Sequence, residues 1–299
     1  MANLDKLTQF FLQARSEADK PFVRQKEAIT PSDYFSLKRV KELLSNPLLT
    51  PEWVQVTLKG KPLPLESDYL WKMVQVKKLC FLDKARMDEA ISKGASVVLE
   101  GLDILDPGLH AVCAEIDAQL PCAISNCEAF FSQRNNEAYG GHCDSDDVLV
   151  MQLEGQKRWR IHQPQPRRYV GNSPMNEQQM GPLLAELVMN PGDIMFLRAG
   201  VPHRCITEVP YSLHLSFDLC DRTPNIEEIT QAANQVHAER LAPMNAPAPE
   251  VVDHYIQHLK SERFTKLLTD ATANKKTQAT RFRQQMGKVG KITAFDKFL

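Results

Sequence analysis

The chain has 299 residues, 43% hydrophobic and 24% charged, with a formal net charge of −1. This length can bury roughly three quarters of the unfolded surface, so a core needs neither disulfides nor a structural metal, and the balanced charge gives no global pull toward nucleic acid or membrane. Seven cysteines, an odd number with no C-x-x-C pair, argue against a disulfide framework and for a reducing compartment. With no apolar run near the ~18 residues that cross a bilayer and no secretion pattern at Met1-Ala2-Asn3, a soluble cytoplasmic protein without a membrane partner is expected.

In chain order, residues 1–120 read as mostly helical with short extended pieces. Leu4, Leu7, Phe10 and Phe11 repeat near helical spacing between Asn3 and Arg15. Thr30-Pro31-Ser32 precedes a second helix at Ser36–Leu44, and a third starts at Leu82-Asp83-Lys84 and runs to Ser92, stopped by Gly94. Ala95–Leu99 reads as a strand. Asp106-Pro107-Gly108 is a turn that opens a helix over about 109–118.

Near residue 121 the texture changes. Alternating, β-branched segments appear at Asp147–Leu153, Lys157–His162, Asp193–Leu197 and Ser212–Asp218, with turns at Glu154-Gly155 and Pro191-Gly192. Short strands punctuated in this way suggest a small β-barrel or two-sheet jelly roll. Helix returns at Ile226–Leu241, followed by a proline-rich linker over 242–249. The organisation expected is thus α+β: a mixed N-terminal flank at 1–120 packing on a core at 121–222, then a helical region at 223–299. Ile226, Ile229, Ala232, Ala233, Val236 and Leu241 form an apolar stripe suited to homodimerisation or to packing on the chain's own barrel. From Val251 onward ten Lys/Arg face four acids, a net +6 against −7 for the rest, which makes either a solvated helical face or a dock for an acidic or RNA-containing partner.

The chemistry concentrates at His142-Cys143-Asp144 and at His203, which ends Pro191-Gly192-Asp193…Gly200-Val201-Pro202-His203 about 60 residues later. Two imidazoles and a carboxylate on one face are the ligand set of non-haem Fe(II) oxygenases. On an extended strand residues i and i+2 face one side, so His142 and Asp144 grip one ion while Cys143 turns away; the alternative is Cys143 as a soft zinc ligand. Alternation puts Lys157, Trp159 and Ile161 on one face of their strand, and Glu154-Gly155 reads as the hairpin turn before it. A lysine on that face needs an anionic partner if the face is interior; otherwise the basic run is simply exposed. Ser212, His214, Ser216 and Asp218 share a face too polar for an ordinary core and suited to a cavity. His214 is open to three parts: a hydrogen-bonding core residue, a cosubstrate or ligand-supporting contact, or a ligand in place of His203.

Together, Gly141–Asp144, Asp147–Arg160, Pro191-Gly192-Asp193, Val201-Pro202-His203 and Ser212–Ser216 resemble the JmjC/cupin-type Fe(II)- and 2-oxoglutarate-dependent oxygenases, in their ribosomal-oxygenase-like branch. The resemblance extends over residues 15 to 220. It implies a double-stranded β-helix, Fe(II) on His142, Asp144 and His203, and Lys157 paired with the distal carboxylate of 2-oxoglutarate. Asn126, His214 and Ser216 are further cosubstrate contacts on this reading. The implied activity is hydroxylation of a protein or peptide side chain. The same chemistry on a small molecule or precursor peptide, or a metal-holding cupin scaffold without activity, are the alternatives.

Overall fold

A computed structural model describes residues 4–46, 48–58, 61–63, 69–120, 123–133, 135–164, 174–220, 229–230, 233 and 248–269. Its centre is a pair of facing sheets. One has eight strands in the order β1-β11-β8-β13-β7-β6-β2-β3, and the other has three in the order β10-β9-β12. The strands are β1 (Phe22–Gln25), β2 (Val54–Leu58), β3 (Lys61–Pro62), β6 (Ser96–Leu99), β7 (Ala123–Gln133), β8 (Asp147–Gly155), β9 (Lys157–His162), β10 (Leu183–Met189), β11 (Ile194–Leu197), β12 (His203–Ile206) and β13 (Tyr211–Cys220). β4 (Tyr69–Val74) and β5 (Lys77–Leu82) pair only with each other. Two facing antiparallel sheets of this kind form a jelly roll.

Alternation along the central strands builds three layers. On β8, Leu149, Met151 and Leu153 enter the larger core with Leu7, Phe11, Val112 and Ile116 from the helical layer. Val148 and Val150 point the other way and pack with Trp159, Ile161, Met189 and Met195 between the sheets. A strand buried on both faces reads as a nearly unbroken apolar run, as β8 does. β13 divides differently: Leu213, Leu215, Phe217 and Leu219 join the larger core, whereas His214, Ser216 and Asp218 face a cavity.

The helices follow their caps. Helix α1 (Leu4–Ser16) buries Leu7, Phe10, Phe11 and Ala14, and Phe11 meets Phe196 of β11 edge-on at 5.5 Å. α2 (Leu37–Leu44) is capped by the Ser36 hydroxyl, which accepts from Arg39 N. Asp83 caps α3 (Lys84–Ser92), and Asp106 caps α5 (Pro107–Gln119), with the short α4 (Leu102–Leu105) between them. Asx and Ser side chains satisfy the free N–H groups of a first turn, which is why each helix begins one or two residues inside its sequence signal.

Two expectations need correction. Residues 1–120 are far richer in strand than their local pattern shows: β1, β2, β3 and β6 are four of the eight strands of the main sheet. β6 pairs with β7 and β1 with β11, so the flank is woven into the barrel by backbone hydrogen bonds to distant segments, which no local periodicity reports. Glu154-Gly155 is not a hairpin turn either, because β8 pairs with β11 and β13 while β9 pairs with β10 and β12. Gly155, at φ +61°, is where the chain leaves one sheet for the other, and a Cβ there would lie 1.9 Å from the Tyr211 carbonyl oxygen. Gly155→Ala is therefore expected to destabilise the fold by about 3 kcal/mol or more, read as a lowered urea midpoint at unchanged slope.

Pro191-Gly192-Asp193 acts as a brace. The Asp193 carboxylate accepts from Arg24 at 2.5 Å, from Asn190 N at 2.9 Å and from Glu27 N at 3.1 Å, which ties β1 to the turn before β11. The predicted helix at Ile226–Leu241 and the linker at 242–249 lie largely outside the described residues. Of the stripe, Ile229 and Ala233 are described, and they pack with Tyr255, Leu259, Phe264, Leu267 and Leu268. Tyr255 and Leu259 belong to α6 (Ala248–Leu259), so helix begins inside the expected linker. Ile226, Ala232, Val236 and Leu241 lie outside, as do seven of the ten cations of the basic tail.

Candidate metal and cosubstrate site

His142 and His203 face each other across an isolated antiparallel bridge. His142 N donates to His203 O at 3.0 Å and His203 N donates back to His142 O at 2.8 Å. This closes the 60-residue gap and brings the two ring centroids to 4.4 Å. Each imidazole also donates Nδ1–H to the carbonyl two residues before it: His142 to Gly140 at 2.8 Å and His203 to Val201 at 3.1 Å. A carbonyl only accepts, so in either residue a neutral ring carries its lone pair on Nε2. These face the Asp144 carboxylate, with His142 Nε2 3.5 Å from Oδ1 and His203 Nε2 3.7 Å from Oδ2. All three ligand atoms lie within 4.8 Å of one another.

Local packing holds this geometry. Cys143, 1% exposed, turns away from the triad into a cluster with Met175 and Met180. Gly141 O accepts from Met175 N at 2.7 Å, and a Cβ on Gly141 would meet the Met180 sulfur at 2.7 Å, so the ligand loop sits flush on that cluster. Burial pushes His203 down to about 4, helped by the neighbouring His142 and outweighing Asp144. Burial alone would raise Asp144, but His203 and His142 hold its carboxyl below the ordinary range. At neutral pH the site thus offers a carboxylate and at least one neutral imidazole, the protonation that a divalent cation needs.

The triad opens into a cavity of about 260 Å³ that Lys157, Trp159, Cys205, His214 and Ser216 also line. Lys157 is 1% exposed. Its Nζ donates to Ser132 Oγ at 2.9 Å, and no carboxylate pairs with it among the described residues. Burial pushes its ammonium down to about 8. Beside it, His214 stacks on Phe130 at 4.8 Å with the rings 2° from parallel, and Trp159 lies 5.5 Å from His203. Burial drives His214 well below the usual imidazole range, with Lys157 and His203 adding to it, so it is neutral. Trp159 Nε1 and His214 Nδ1 are both buried without a hydrogen-bond partner. Buried polar atoms left unpaired in this way mark a place where a ligand completes the bonding.

Of the residues singled out in the sequence, His142, Asp144, His203, Lys157, His214 and Ser216 therefore line one cavity. Asn126 takes a different part: its Oδ1 accepts from Gly101 N at 3.1 Å and its Nδ2 donates to Glu128 at 2.9 Å, so it braces the wall from behind. Glu128, Phe130 and Tyr139 line the cavity and were missed. Reading Ala123–Gln133 as a strand would have found the first two, since Glu128, Phe130 and Ser132 alternate on one face.

Comparison with known proteins agrees with this architecture. Residues 109–229 match the family model described as the JmjC domain. The fold is similar to the X-ray structure of E. coli ycfD, at 17% identity and TM-score 0.53, over 85% of this chain and 68% of that one. A structure described as YcfD, a ribosomal oxygenase from Escherichia coli, gives 16% and 0.52 over 85% and 67%. Among curated proteins, the bifunctional lysine-specific demethylase and histidyl-hydroxylase NO66 of Drosophila willistoni is 28% identical over 134 residues, 42% of this chain and 17% of that protein. Its counterpart in Drosophila persimilis is 29% identical over 112 residues, 36% of this chain and 16% of that protein. The chain thus matches less than a fifth of the length of these curated relatives.

Proposed function

We propose that the JmjC domain at 109–229 makes this protein an Fe(II)- and 2-oxoglutarate-dependent dioxygenase that hydroxylates a protein or peptide side chain. The observation that carries the proposal is one cavity holding two imidazole Nε2 atoms and a carboxylate, together with a buried ammonium that lacks an anion among the described residues. His142, Asp144 and His203 would hold the iron, and their N, N, O donor set suits it. Lys157 would receive the distal carboxylate of 2-oxoglutarate, with Ser132 aiming its ammonium and the unpaired Trp159 and His214 nitrogens beside it. Bound together, iron and 2-oxoglutarate supply an oxidation that couples decarboxylation of the keto acid to insertion of oxygen into a C–H bond.

The chain's own share is placement and shielding. Carbonyl contacts at Gly140 and Val201 lock the imidazoles, and the Phe130–His214 stack and Trp159 keep water from the cavity's apolar side. The relatives named histidyl-hydroxylase and lysine-specific demethylase act on protein side chains, which supports a protein substrate here. That Cys80, Cys113, Cys127, Cys143 and Cys205 form no disulfide among the described residues supports a reducing, cytoplasmic setting. Among the described residues no helix is long and apolar enough to cross a membrane. A homodimer through 223–299 is part of the same reading, since α6 exposes Val252 (55%) and Ile256 (42%) one turn apart; a concentration-independent monomer mass by light scattering would exclude it.

The test is anaerobic purification, addition of Fe(II) and 2-oxoglutarate, and measurement of succinate on admitting air, with and without candidate peptides. Absence of both turnover and 2-oxoglutarate binding would overturn the proposal. A pH dependence follows from Lys157. Its ammonium is charged below about 8 and is lost above it, so 2-oxoglutarate affinity is expected to fall as pH rises from 8 toward 10, measured by calorimetric titration of Mn(II)-loaded protein.

A further inference from the structure

The short loop that joins β11 to β12 touches two of the three proposed metal ligands through its backbone. Gly200 N donates to the Asp144 carbonyl at 2.9 Å, and the Val201 carbonyl accepts Nδ1–H of His203 at 3.1 Å. Ala199 N donates to the Asp147 carboxylate at 2.9 Å, at the start of β8. Val201 N in turn donates to the Arg198 carbonyl at 3.3 Å, which closes the loop on itself. A tilt of residues 198–201 therefore shifts Asp144 and turns the His203 ring together.

The loop is anchored by the Arg198 side chain, which reaches the C-terminal end of α1 and the residues after it. Its Nε donates to Lys20 O at 2.8 Å. Its Nη2 shares two hydrogens among the carbonyls of Glu17, Arg15 and Ala14, at 3.0, 3.1 and 3.3 Å. The last carbonyls of a helix have no partner inside it, and the negative end of its dipole favours a cation. Arg198 meets both needs from a position 183 residues beyond Arg15. Its backbone N also donates to Pro21 O at 3.0 Å, and its guanidinium lies 5.4 Å over the Phe196 ring, the ring that Phe11 of α1 meets edge-on. A planar guanidinium reaches several carbonyls at once, whereas an ammonium is a single point of charge.

We propose that Arg198 is a positioning residue: docked on the carbonyls at the end of α1, it fixes the 198–201 loop and, through that loop, holds Asp144 and His203 in the geometry that binds the metal. The inference rests on the metal site of the oxygenase reading. It adds to that site a helix at Leu4–Ser16, far outside the JmjC match at 109–229. The sign of the effect separates positioning from plain electrostatics. A guanidinium repels a divalent cation, so deleting its charge alone would tighten metal binding, whereas loss of the loop's position weakens it.

The experiment uses the full-length protein with Co(II), whose affinity is read by calorimetric titration and whose donor geometry is read from its visible d–d bands. Arg198→Met is expected to weaken Co(II) about tenfold and to alter the bands. That is the low end of what partners behind a metal site cost, because Arg198 acts through the loop. Arg198→Lys keeps the charge but cannot span the carbonyls, so it should fall between Arg198→Met and the wild type. Arg39→Met is the control: it removes another guanidinium that bridges distant segments, to Asp106, and Arg39 lines no part of the cavity. Its melting temperature should drop while Co(II) affinity and bands stay as they are. A measurement on the wild type needs no variant to fold. By linkage, metal tightens the dock by the factor the dock tightens metal, so Zn(II) should slow solvent exchange of the Arg198 Nε–H about tenfold, followed by nitrogen-15 NMR.

A folded Arg198→Met protein with unchanged or tighter Co(II) binding would overturn the inference and leave Arg198 a staple for α1. So would an equal loss of Co(II) affinity in Arg39→Met, or Arg198 Nε–H exchange that Zn(II) does not slow. Titrating 2-oxoglutarate into the Co(II)-loaded wild type separates the two readings. If it does not bind and Arg198→Met still weakens the metal, the oxygenase falls and the positioning role stands. If it binds and Arg198→Met changes neither affinity nor bands, the positioning role falls alone.

Discussion

Replacing Lys157 by methionine is expected to abolish useful 2-oxoglutarate affinity while making the metal-free protein more stable. The ammonium is 1% exposed and bonded to the Ser132 hydroxyl, with no carboxylate partner among the described residues. Truncating one partner of a buried charge pair costs about 2–5 kcal/mol, so 2-oxoglutarate should bind from ~30-fold to several-thousand-fold more weakly. Without its ligand the same ammonium is a desolvated charge, and apolar replacement of such groups is stabilising by roughly 1–4 kcal/mol. A melting temperature that rises while 2-oxoglutarate binding disappears would separate function from fold at one residue. The linkage has a definite sign. The folded state releases the Lys157 proton at about 8 while the ordinary value for an unfolded chain is 10.5. Wild-type stability should therefore rise with pH across that window, and the Lys157→Met protein should lack this rise.

Asp144→Ala should cut metal affinity by more than ~100-fold and remove 2-oxoglutarate turnover, with little effect on folding. Altering a partner one shell behind a metal already costs roughly 10–100-fold, and Asp144 is the carboxylate that both Nε2 atoms face. The fold should survive because the bridge between His142 and His203 is made by backbone atoms, and both Nδ1 hydrogen bonds go to carbonyls. Bound metal per chain after dialysis, read by mass spectrometry beside a circular dichroism melt, checks both parts. An inactive metal-holding scaffold predicts a different result: cells carrying a folded Asp144→Ala protein would show no defect.

The legible parts of the site were those written in neighbouring residues. His142 and Asp144 could be paired because their spacing and donor types are local, and the alternation of Lys157, Trp159 and Ile161 matches the burial of β9. The period-two face of β13 likewise announced His214, Ser216 and Asp218 together. Glu128 and Phe130 escaped because β7 was not read as a strand, and Tyr139 escaped because it lies beyond β7 in a segment without a periodic pattern. The supposed hairpin at Gly155 failed for a related reason. A glycine turn between two strands looks the same whether they pair or separate into facing sheets.

The amino-acid order alone determined which side chains carry the chemistry and which face of each strand they share, since both follow from residue type and a two-residue repeat. Only the tertiary structure decided that His203 closes on His142, that the Lys157 face is interior, and that four strands of the N-terminal flank extend the main sheet. Those outcomes come from hydrogen-bonded pairing between segments far apart in the chain and from two sheets closing on each other, where the partners that settle each contact are not sequence neighbours.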